Sequence, residues 1–485
     1  MKTAFSEKEL SQIAAHGLDP AAVESQMENF RCGFPHLPIV RPATTGDGIM
    51  AVDAKVAELF TRIYREAAPQ LRIVKFVPAS GAATRMFKNL FEYVRTGEAD
   101  ASTEKTVGEV ERFAFYDIIQ NKVAGMDSRA VAQAVLDYGA RLPKGLIVFH
   151  RYADEVRTAV EEHLVEGAQY AASGERVAIH FTVSPEHEAG FRELLAAVQE
   201  KYEKRFGVRY DISFSRQDPA TDTIAATADN EPFRTDDGKL LFRPAGHGAL
   251  IGNLGAIDAD VVFIKNIDNV TTDRLRGDTI VYKHALAGIL LDVRKKIYNY
   301  LAILDRGIDD TVVGNIEAFV RRELFVELPD GFGAMAMDEK AALLRRILDR
   351  PLRVCAMVRN EGEPGGGPFW VANADGTRSL QIAELSQIAP EKRRLLAEGT
   401  HFNPVDIVCA TKDYKGRPYD LHAFTDPATG FVSEKSQGGR TLRALELPGL
   451  WNGAMARWNT VFVEAPVATF TPVKEVNDLL RAQHQ

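Results

Sequence analysis

Val74-Lys75-Phe76-Val77-Pro78-Ala79-Ser80-Gly81-Ala82-Ala83-Thr84-Arg85-Met86-Phe87-Lys88 is the stretch on which the reading of this chain turns. Val74, Phe76 and Val77 make a short apolar run that stops at Pro78. Small residues follow, and Met86, Phe87, Leu90 and Phe91 then take up the spacing of a helix. A buried strand, a tight turn of small side chains and a helix start together suit phosphate. Small residues let backbone N–H groups approach the oxygens, and a helix N-terminus adds a favourable dipole. Arg85 is placed to grip a phosphate through two parallel N–H donors. A strand-to-helix turn that binds nothing has the same signature.

The flanking sequence sets this turn in an α/β protein. Val56, Leu59, Phe60, Ile63 and Tyr64 predict an amphipathic helix over 53–67 that packs against the sheet. Residues 107–142 read as an acidic helical region without a chemical motif. It ends at Pro143-Lys144-Gly145, ahead of the apolar run 146–149, which puts Lys144 at a strand edge. A helix through Val156, Val160 and Leu164, a strand over 177–183, a helix marked by Phe191, Leu195 and Tyr202, and a strand over 208–214 follow. Strands alternating with helices at this rhythm predict a mostly parallel sheet. His180 and His187, near one strand's end, read as packing or surface residues.

Beyond residue 215 the chain is loop-like until Gly246-His247-Gly248, set between a strand-like run at 240–242 and a short helix with Leu250 and Leu254. Glycines flanking a histidine make a turn on which a planar ring can lie close to backbone; a structural turn whose imidazole satisfies a backbone group reads the same. The apolar strand that starts at Val261 ends in Asn266-Ile267-Asp268-Asn269. An Asp at the carboxyl end of a parallel strand is where open α/β sheets place ligands, and its hard oxygens suit Mg²⁺; an Asx-turn or cap is the bland alternative. Asp273 falls on the loop beyond. A long helix over 286–301, a helical stretch over 315–327 and a strand over 352–358 come next. Gly365-Gly366-Gly367 then makes either a substrate lid or a long hairpin. Near the end lie Leu450-Trp451-Asn452-Gly453 and Pro472-Val473-Lys474. A proline ahead of a short helix puts Lys474 in a first turn, where the dipole disfavours a cation unless an anion is near.

Composition narrows the classes. The chain has 485 residues, 45% hydrophobic and 26% charged, and a net charge of -8. That suits a folded protein with a large core and argues against broad nucleic-acid binding, which needs a basic surface. An anionic substrate would be held by a few local cations. Cys32, Cys355 and Cys409 are odd in number and far apart, so no disulfide framework or metal knuckle is expected. With no signal-peptide core and no membrane-length apolar run, a cytoplasmic setting without membrane contact is expected. The expected division is a helical lead-in over 1–67, an α/β core over 68–330 with a helical insertion at about 100–142, and a C-terminal α+β region over 331–485.

Taken in order, the motifs carry a resemblance that none carries alone. Ala79 to Met86 resembles the nucleotide-binding loop of sugar-nucleotide pyrophosphorylases, and Arg243 to Leu254 resembles their Gly-His-Gly loop that meets uracil. Phe263 to Asn269 resembles their strand ending in Asn-x-Asp-Asn, and Thr469 to Leu480 the Pro-Val-Lys segment of UTP–glucose-1-phosphate uridylyltransferases. Asn360 to Trp370 resembles a bacterial family catalogued as domain of unknown function 4301. The resemblance implies a GT-A-like nucleotidyltransferase core and a Mg²⁺-dependent reaction. In it a nucleoside triphosphate, UTP first, and a sugar-1-phosphate give an NDP-sugar and pyrophosphate. A non-sugar phosphorylated acceptor and a nucleotide-sugar binder without turnover are the alternatives. It implies a nucleotide contact from Ser80, Gly81, Ala82, Ala83 and Thr84, with backbone donors at 81–83, and another from Gly246, His247 and Gly248. Arg85, Lys144 and Lys474 would act on phosphates, Asp268 would hold Mg²⁺, and Asn266 and Asn452 would be substrate contacts. Two departures stand out: Ser80 and Ala83 replace two loop glycines, and Pro143-Lys144 follows the loop far later than in those enzymes, across an insertion expected to form its own helices. Oligomeric state is not legible.

Overall fold

The computed structural model describes residues 3, 5–81, 83–362 and 365–485; Ala82 of the expected phosphate loop lies outside the described residues. Its centre is an 11-stranded mixed sheet. Ile73–Pro78 lies between Val261–Lys265 and Arg176–Thr182, parallel to both, and Arg209–Ser215 runs parallel to Arg176–Thr182 on its other side. On the opposite flank Asp406–Ala410 runs antiparallel between Val261–Lys265 and Leu352–Arg359. Leu352–Arg359 then pairs in parallel with Asn459–Ala465, which meets Gly48–Met50. The sheet is mostly parallel, as the strand–helix rhythm predicts. It draws strands from all three stretches of the expected division, so residues 67 and 330 are not breaks in it.

Helices cover one face. Asp53 caps Ala54–Ala67 by accepting the Val56 N–H at 2.9 Å. That helix lies across the 29-residue helix Arg276–Leu304. A Cβ on Gly288 would overlap the Phe60 carbonyl, so only glycine lets the two helices pack this closely. Leu286, Ile289, Leu290, Val293 and Ile297 fill the layer between helix and sheet. The helical stretch expected at 315–327 is Asp310–Arg322. The other face is closed by Leu250–Gly255 and the turn around Leu450, Ala454, Met455 and Trp458. The insertion forms helices of its own, Ala101–Gly108, Tyr116–Val123 and Ser128–Gly139, which share a core with the helix Lys88–Thr96 and the strand Arg176–Thr182.

Two satellite sheets complete the chain. Helices Glu7–Ala15 and Pro20–Cys32 pack on a four-stranded sheet that includes Thr223–Ala226 and Arg440–Glu446. Ile39–Pro42, Gly367–Ala372 and Arg378–Ala383 make a three-stranded sheet. Ile39–Pro42 is a strand within the stretch expected as a helical lead-in; proline is tolerated at its end, where no ladder N–H is needed. Gly367 begins a strand whose partners are not Leu352–Arg359, so the triple-glycine segment is a crossing between sheets and not a hairpin. Cys32, Cys355 and Cys409 are free thiols.

Candidate active site

At the carboxyl ends of the central strands the chain gathers residues from three distant places. Asp268 is buried, and its Oδ2 accepts from Lys144 Nζ at 2.8 Å and from Lys474 Nζ at 3.1 Å. Lys474 also reaches Oδ1 at 3.3 Å. Backbone geometry holds the three together. Val473 N–H donates to the Asp268 carbonyl at 2.9 Å. Lys144 Nζ donates to the Val473 carbonyl at 2.8 Å. Asn269 Oδ1 accepts the Thr471 N–H at 3.0 Å. Burial alone would raise the Asp268 carboxyl; the ammonium groups of Lys144 and Lys474 outweigh it and hold the pKa below the ordinary carboxylate value. The cluster carries one negative and two positive charges. Its two lysines differ: the Lys144 side chain is 15% exposed and doubly tied, whereas that of Lys474 is 57% exposed.

Lys474 is not in a helix's first turn. The short helix is Val476–Leu480, and Lys474 stands before its cap, Glu475. The N–H groups of Lys474 and Glu475 both donate to Asp478 Oδ2, at 2.7 and 2.8 Å. Pro472, four residues before the first helical residue, instead bridges to Asn269. The anion that offsets Lys474 is Asp268.

The phosphate-loop candidate leaves the end of Ile73–Pro78. Its first helical turn is the 3-10 segment Ala83–Phe87, with Lys88–Thr96 continuing as α-helix. Thr84 and Arg85 are exposed, and neither side chain has a hydrogen-bond partner among the described residues. Ser80 accepts on its carbonyl from Ser184 Oγ at 2.8 Å. Ala83 does not offer a free donor: it is buried and its N–H is bonded to the Leu142 carbonyl at 3.1 Å, where the insertion ends. Of the three expected backbone donors Gly81 is the one left open among the described residues. A small cavity of about 120 Å³, lined by Arg85, Lys88, Ser102 and Glu475, brings Arg85 to the segment that carries Lys474.

The Gly-His-Gly loop is built around its ring. His247 stacks on Trp451 with centroids 4.0 Å apart and planes at 11°. Its Nδ1 accepts the Leu450 N–H at 2.9 Å. A Cβ on Gly248 would overlap the Pro448 carbonyl. Burial pushes the imidazole down to about 4, so it is neutral near pH 7. Among the described residues no hydrogen bond or ion pair joins this loop to the Asp268 cluster. Leu250–Gly255 beyond it forms a wall of a cleft of about 1160 Å³ on the sheet face, with His180, Ser213 and Ser215 opposite. His180 bonds Ser213 Oγ at 2.8 Å and Ser215 Oγ at 2.7 Å. The Asn266 side chain is half-buried beside Asp268 and unpartnered among the described residues, whereas Asn452 lies with Trp451, away from that cluster.

Sequence reasoning passed over what lies beneath the site. Lys75, in the strand that feeds the phosphate loop, and Lys265, in the strand that feeds Asp268, both bond buried Glu166, at 2.9 and 2.8 Å. Tyr170 donates to the same carboxylate at 2.9 Å. His163, one turn before Glu166, contacts the Ile267 carbonyl at 3.2 Å. One helix, Ala159–Tyr170, is thus bolted to both site-bearing strands. Burial would raise the Glu166 carboxyl, but Lys265 and Lys75 hold it far below its ordinary range; burial lowers Lys75 to about 7. The available signal was a lysine inside each of two otherwise apolar strands, since a buried ammonium needs a partner. Asp273 is no bystander either. It takes Arg157 at 2.8 and 2.9 Å and also pairs with Arg276, inside a network that includes Glu162 and His150.

With the site described, its relatives can be placed. The profile of a family described as "Domain of unknown function (DUF4301)" matches residues 6–485. The chain belongs to this family. Among curated proteins no match is found. Among solved structures, this DUF4301 chain is similar to UDP-glucose pyrophosphorylase from Leishmania major, at 13% identity and a TM-score of 0.45, over 98% of this chain and 79% of that one. It is similar to a UDP-glucose phosphorylase from Trypanosoma brucei at 13% and 0.46, over 97% and 77%. It is also similar to uridine diphosphate N-acetylglucosamine pyrophosphorylase from Trypanosoma brucei at 11% and 0.50, over 98% and 79%. The last likeness shows a shared α/β fold. No helix among the described residues is long and apolar enough to cross a membrane.

Proposed function

We propose that the protein is a nucleotidyltransferase that joins the α-phosphate of a nucleoside triphosphate, UTP first, to a sugar-1-phosphate. A phosphate oxygen of the acceptor attacks the α-phosphorus, the bond from that phosphorus to the bridging oxygen breaks, and pyrophosphate leaves with the electron pair. The attacking phosphate is already ionised, so no general base is needed and catalysis is positioning and charge neutralisation. The observation that carries this reading is the meeting of Lys144 and Lys474 on Asp268 at the end of a central strand.

Each residue has a part suited to its surroundings. Lys474, exposed and loosely paired, is the arm that leaves Asp268 for phosphate; Lys144, tied to the Val473 carbonyl, stays and fixes the carboxylate. Arg85, exposed on the loop, meets the leaving pyrophosphate, with Ser80, Gly81 and Thr84 beside it. Asn266 offers an amide to the acceptor. The base lies against Gly246 to Gly248, where the neutral His247 ring holds the loop on Trp451.

Mg²⁺ fits this donor set in one way, as a nucleotide complex. Asp268 is a single carboxylate whose Oδ2 already takes two ammonium groups, and no cluster of three or more His, Cys, Asp or Glu gathers among the described residues. Phosphate oxygens and water would complete the octahedron. Held by Asp268, Mg²⁺ would neutralise charge at the α-phosphate.

A second reading, a nucleotide-sugar binder without turnover, is favoured by the Ala83 N–H being already bonded to Leu142. The test is a pyrophosphate-release screen of four nucleoside triphosphates against a panel of sugar-1-phosphates and non-sugar phosphates. Release that needs both substrates supports the transferase. Nucleotide binding without release supports the binder.

A further inference from the structure

A second cavity, of about 450 Å³, lies at the other end of the sheet, between the three-stranded sheet and the turn after Trp451. Leu352–Arg359 is antiparallel to Asp406–Ala410, which is antiparallel to Val261–Lys265, so the first and last run the same way. Asp268 follows the carboxyl end of Val261–Lys265. Arg350 stands before the start of Leu352–Arg359, and Arg457 before the start of its parallel neighbour Asn459–Ala465. The cavity they line is therefore at the amino ends of these strands, away from the Asp268 cluster.

Its wall carries two arginines, Arg350 and Arg457, and two carboxylates, Asp375 and Asp426. Arg350 donates Nε to the Arg346 carbonyl at 2.7 Å and makes no ion pair among the described residues. The Arg457 side chain has no partner among them either. Beneath the same turn Arg353, fully buried, donates to Thr460 Oγ1 at 2.9 Å and to the Trp451 carbonyl at 2.6 Å, with Nη2 left without a partner and no carboxylate beside it. A buried cation ordinarily has an anion; Arg353 has no carboxylate beside it, and neither half-buried Arg350 nor exposed Arg457 makes an ion pair among the described residues. Burial lowers Arg353, which no carboxylate offsets, and lowers Arg350 against the opposing pull of Asp375.

The rest of the wall accepts hydrogen bonds. Asn452 donates its amide to Glu384 at 2.8 Å, and its Oδ1 has no partner. Asn373 and Gln381 likewise use their amide N–H groups on protein acceptors, leaving the oxygens. Asp375 spends Oδ1 on Thr377, at 3.1 Å from the N–H and 2.6 Å from the hydroxyl, and keeps Oδ2. Asp426, also on the wall, bonds the Ala428 N–H at 3.1 Å. Two carboxylates would repel a bare polyanion, yet they and the amide oxygens suit hydroxyl donors. The volume falls in the range of small-molecule sites, roughly 300–1,000 Å³.

We propose that this cavity binds a phosphorylated polyol of monosaccharide size, with Arg350 and Arg457 on the phosphate and Asn373, Gln381, Asn452 and Asp375 on hydroxyls. The site is separate from the Asp268 cluster, although its Asn452 follows Trp451, on which His247 stacks, and it stands whether or not that cluster supports turnover.

The test is calorimetric titration of the full chain, without nucleotide, using glucose 6-phosphate, inorganic phosphate and glucose. Glucose 6-phosphate should bind, phosphate more weakly, and glucose not measurably. Binding should survive Lys474→Ala and weaken by about tenfold or more in Arg350→Gln and in Arg457→Gln, the loss of a charged hydrogen bond. Neither arginine makes an ion pair among the described residues, and Arg457 is exposed, so melting temperatures should stay near wild type. Absence of glucose 6-phosphate binding in the wild type overturns the proposal. So does binding that is lost in Lys474→Ala and kept in both arginine variants.

Discussion

Replacing Asp268 by Asn keeps the shape of the cluster and removes its only negative charge. Asp268 is buried, Lys144 nearly so, and Lys474 mostly exposed. Removing one partner of a buried pair costs ~3–5 kcal/mol, and of an exposed one ~0–1 kcal/mol. Because Lys144 keeps some water and the Asn carbonyl still accepts a hydrogen bond, the expected loss is at the lower edge, about 2–3 kcal/mol. At an unfolding entropy of about 2.1 cal/mol/K per residue, a chain of this length melting in one transition should lose roughly 2–3 °C. The variant should therefore fold. Turnover should fall by ~10²–10³, the usual effect of one lost preorganised electrostatic contact. A further consequence separates this account from a structural role. In the variant both lysines lack a counter-ion, so inorganic pyrophosphate should raise its melting temperature more than it raises that of the wild type. The assay is thermal melting with and without pyrophosphate, run beside turnover. Asp273 cannot serve as the control, since Arg157 and Arg276 depend on it; the fully exposed Asp236 can. An Asp268→Asn protein with wild-type activity, or one that pyrophosphate stabilises no more than the parent, would refute the reasoning.

Lys474→Ala should reduce turnover about as strongly while shifting the melting temperature little, because its pair is exposed; early melting with normal activity would make Lys474 structural. Free Mg²⁺ should not bind measurably without nucleotide, since Asp268 is a lone carboxylate, whereas Mg²⁺ and UTP together should; tight binding of the ion alone, seen by calorimetry, would contradict this. Burial holds His247 and His284 to about 4 and, with help from His150 and Arg481, His484 to about 3. Below an unfolded value of about 6.5 the unfolded chain takes up protons that the native one does not, so stability should fall as pH drops from 6.5 towards 4, by up to about 1.4 kcal/mol per histidine per pH unit. Denaturant midpoints unchanged between pH 6.5 and 5 would rule this out.

Much of the fold was legible because its signals are local. The apolar strands, the capped helix after Asp53 and the carboxyl-end Asp268 announce themselves by period and residue type, and the order of the motifs brought Lys144 and Lys474 into the same reading. What escaped was set by partners far away in sequence. Lys75 looks like an interruption of an apolar strand until Glu166, 91 residues on, is seen to hold it. Ala83 looks like an open donor until Leu142 takes its N–H. Lys474 looks like a helix residue because Pro472 resembles a helix start, when it is a bridge to Asn269. Asn452, a substrate contact only by resemblance, carries no local signal of its surroundings: its amide donates to Glu384, 68 residues earlier.

The most direct measurement follows the phosphorus atoms. UTP labelled separately at its α- and γ-phosphates is incubated with a sugar-1-phosphate, Mg²⁺ and the wild-type protein, and the products are separated. The expected result is α-label in a UDP-sugar and γ-label in pyrophosphate, in equal amounts, with both lost in Lys474→Ala. Label from the γ-phosphate on the sugar, or orthophosphate without any UDP-sugar, would contradict nucleotidyl transfer at the Asp268 site.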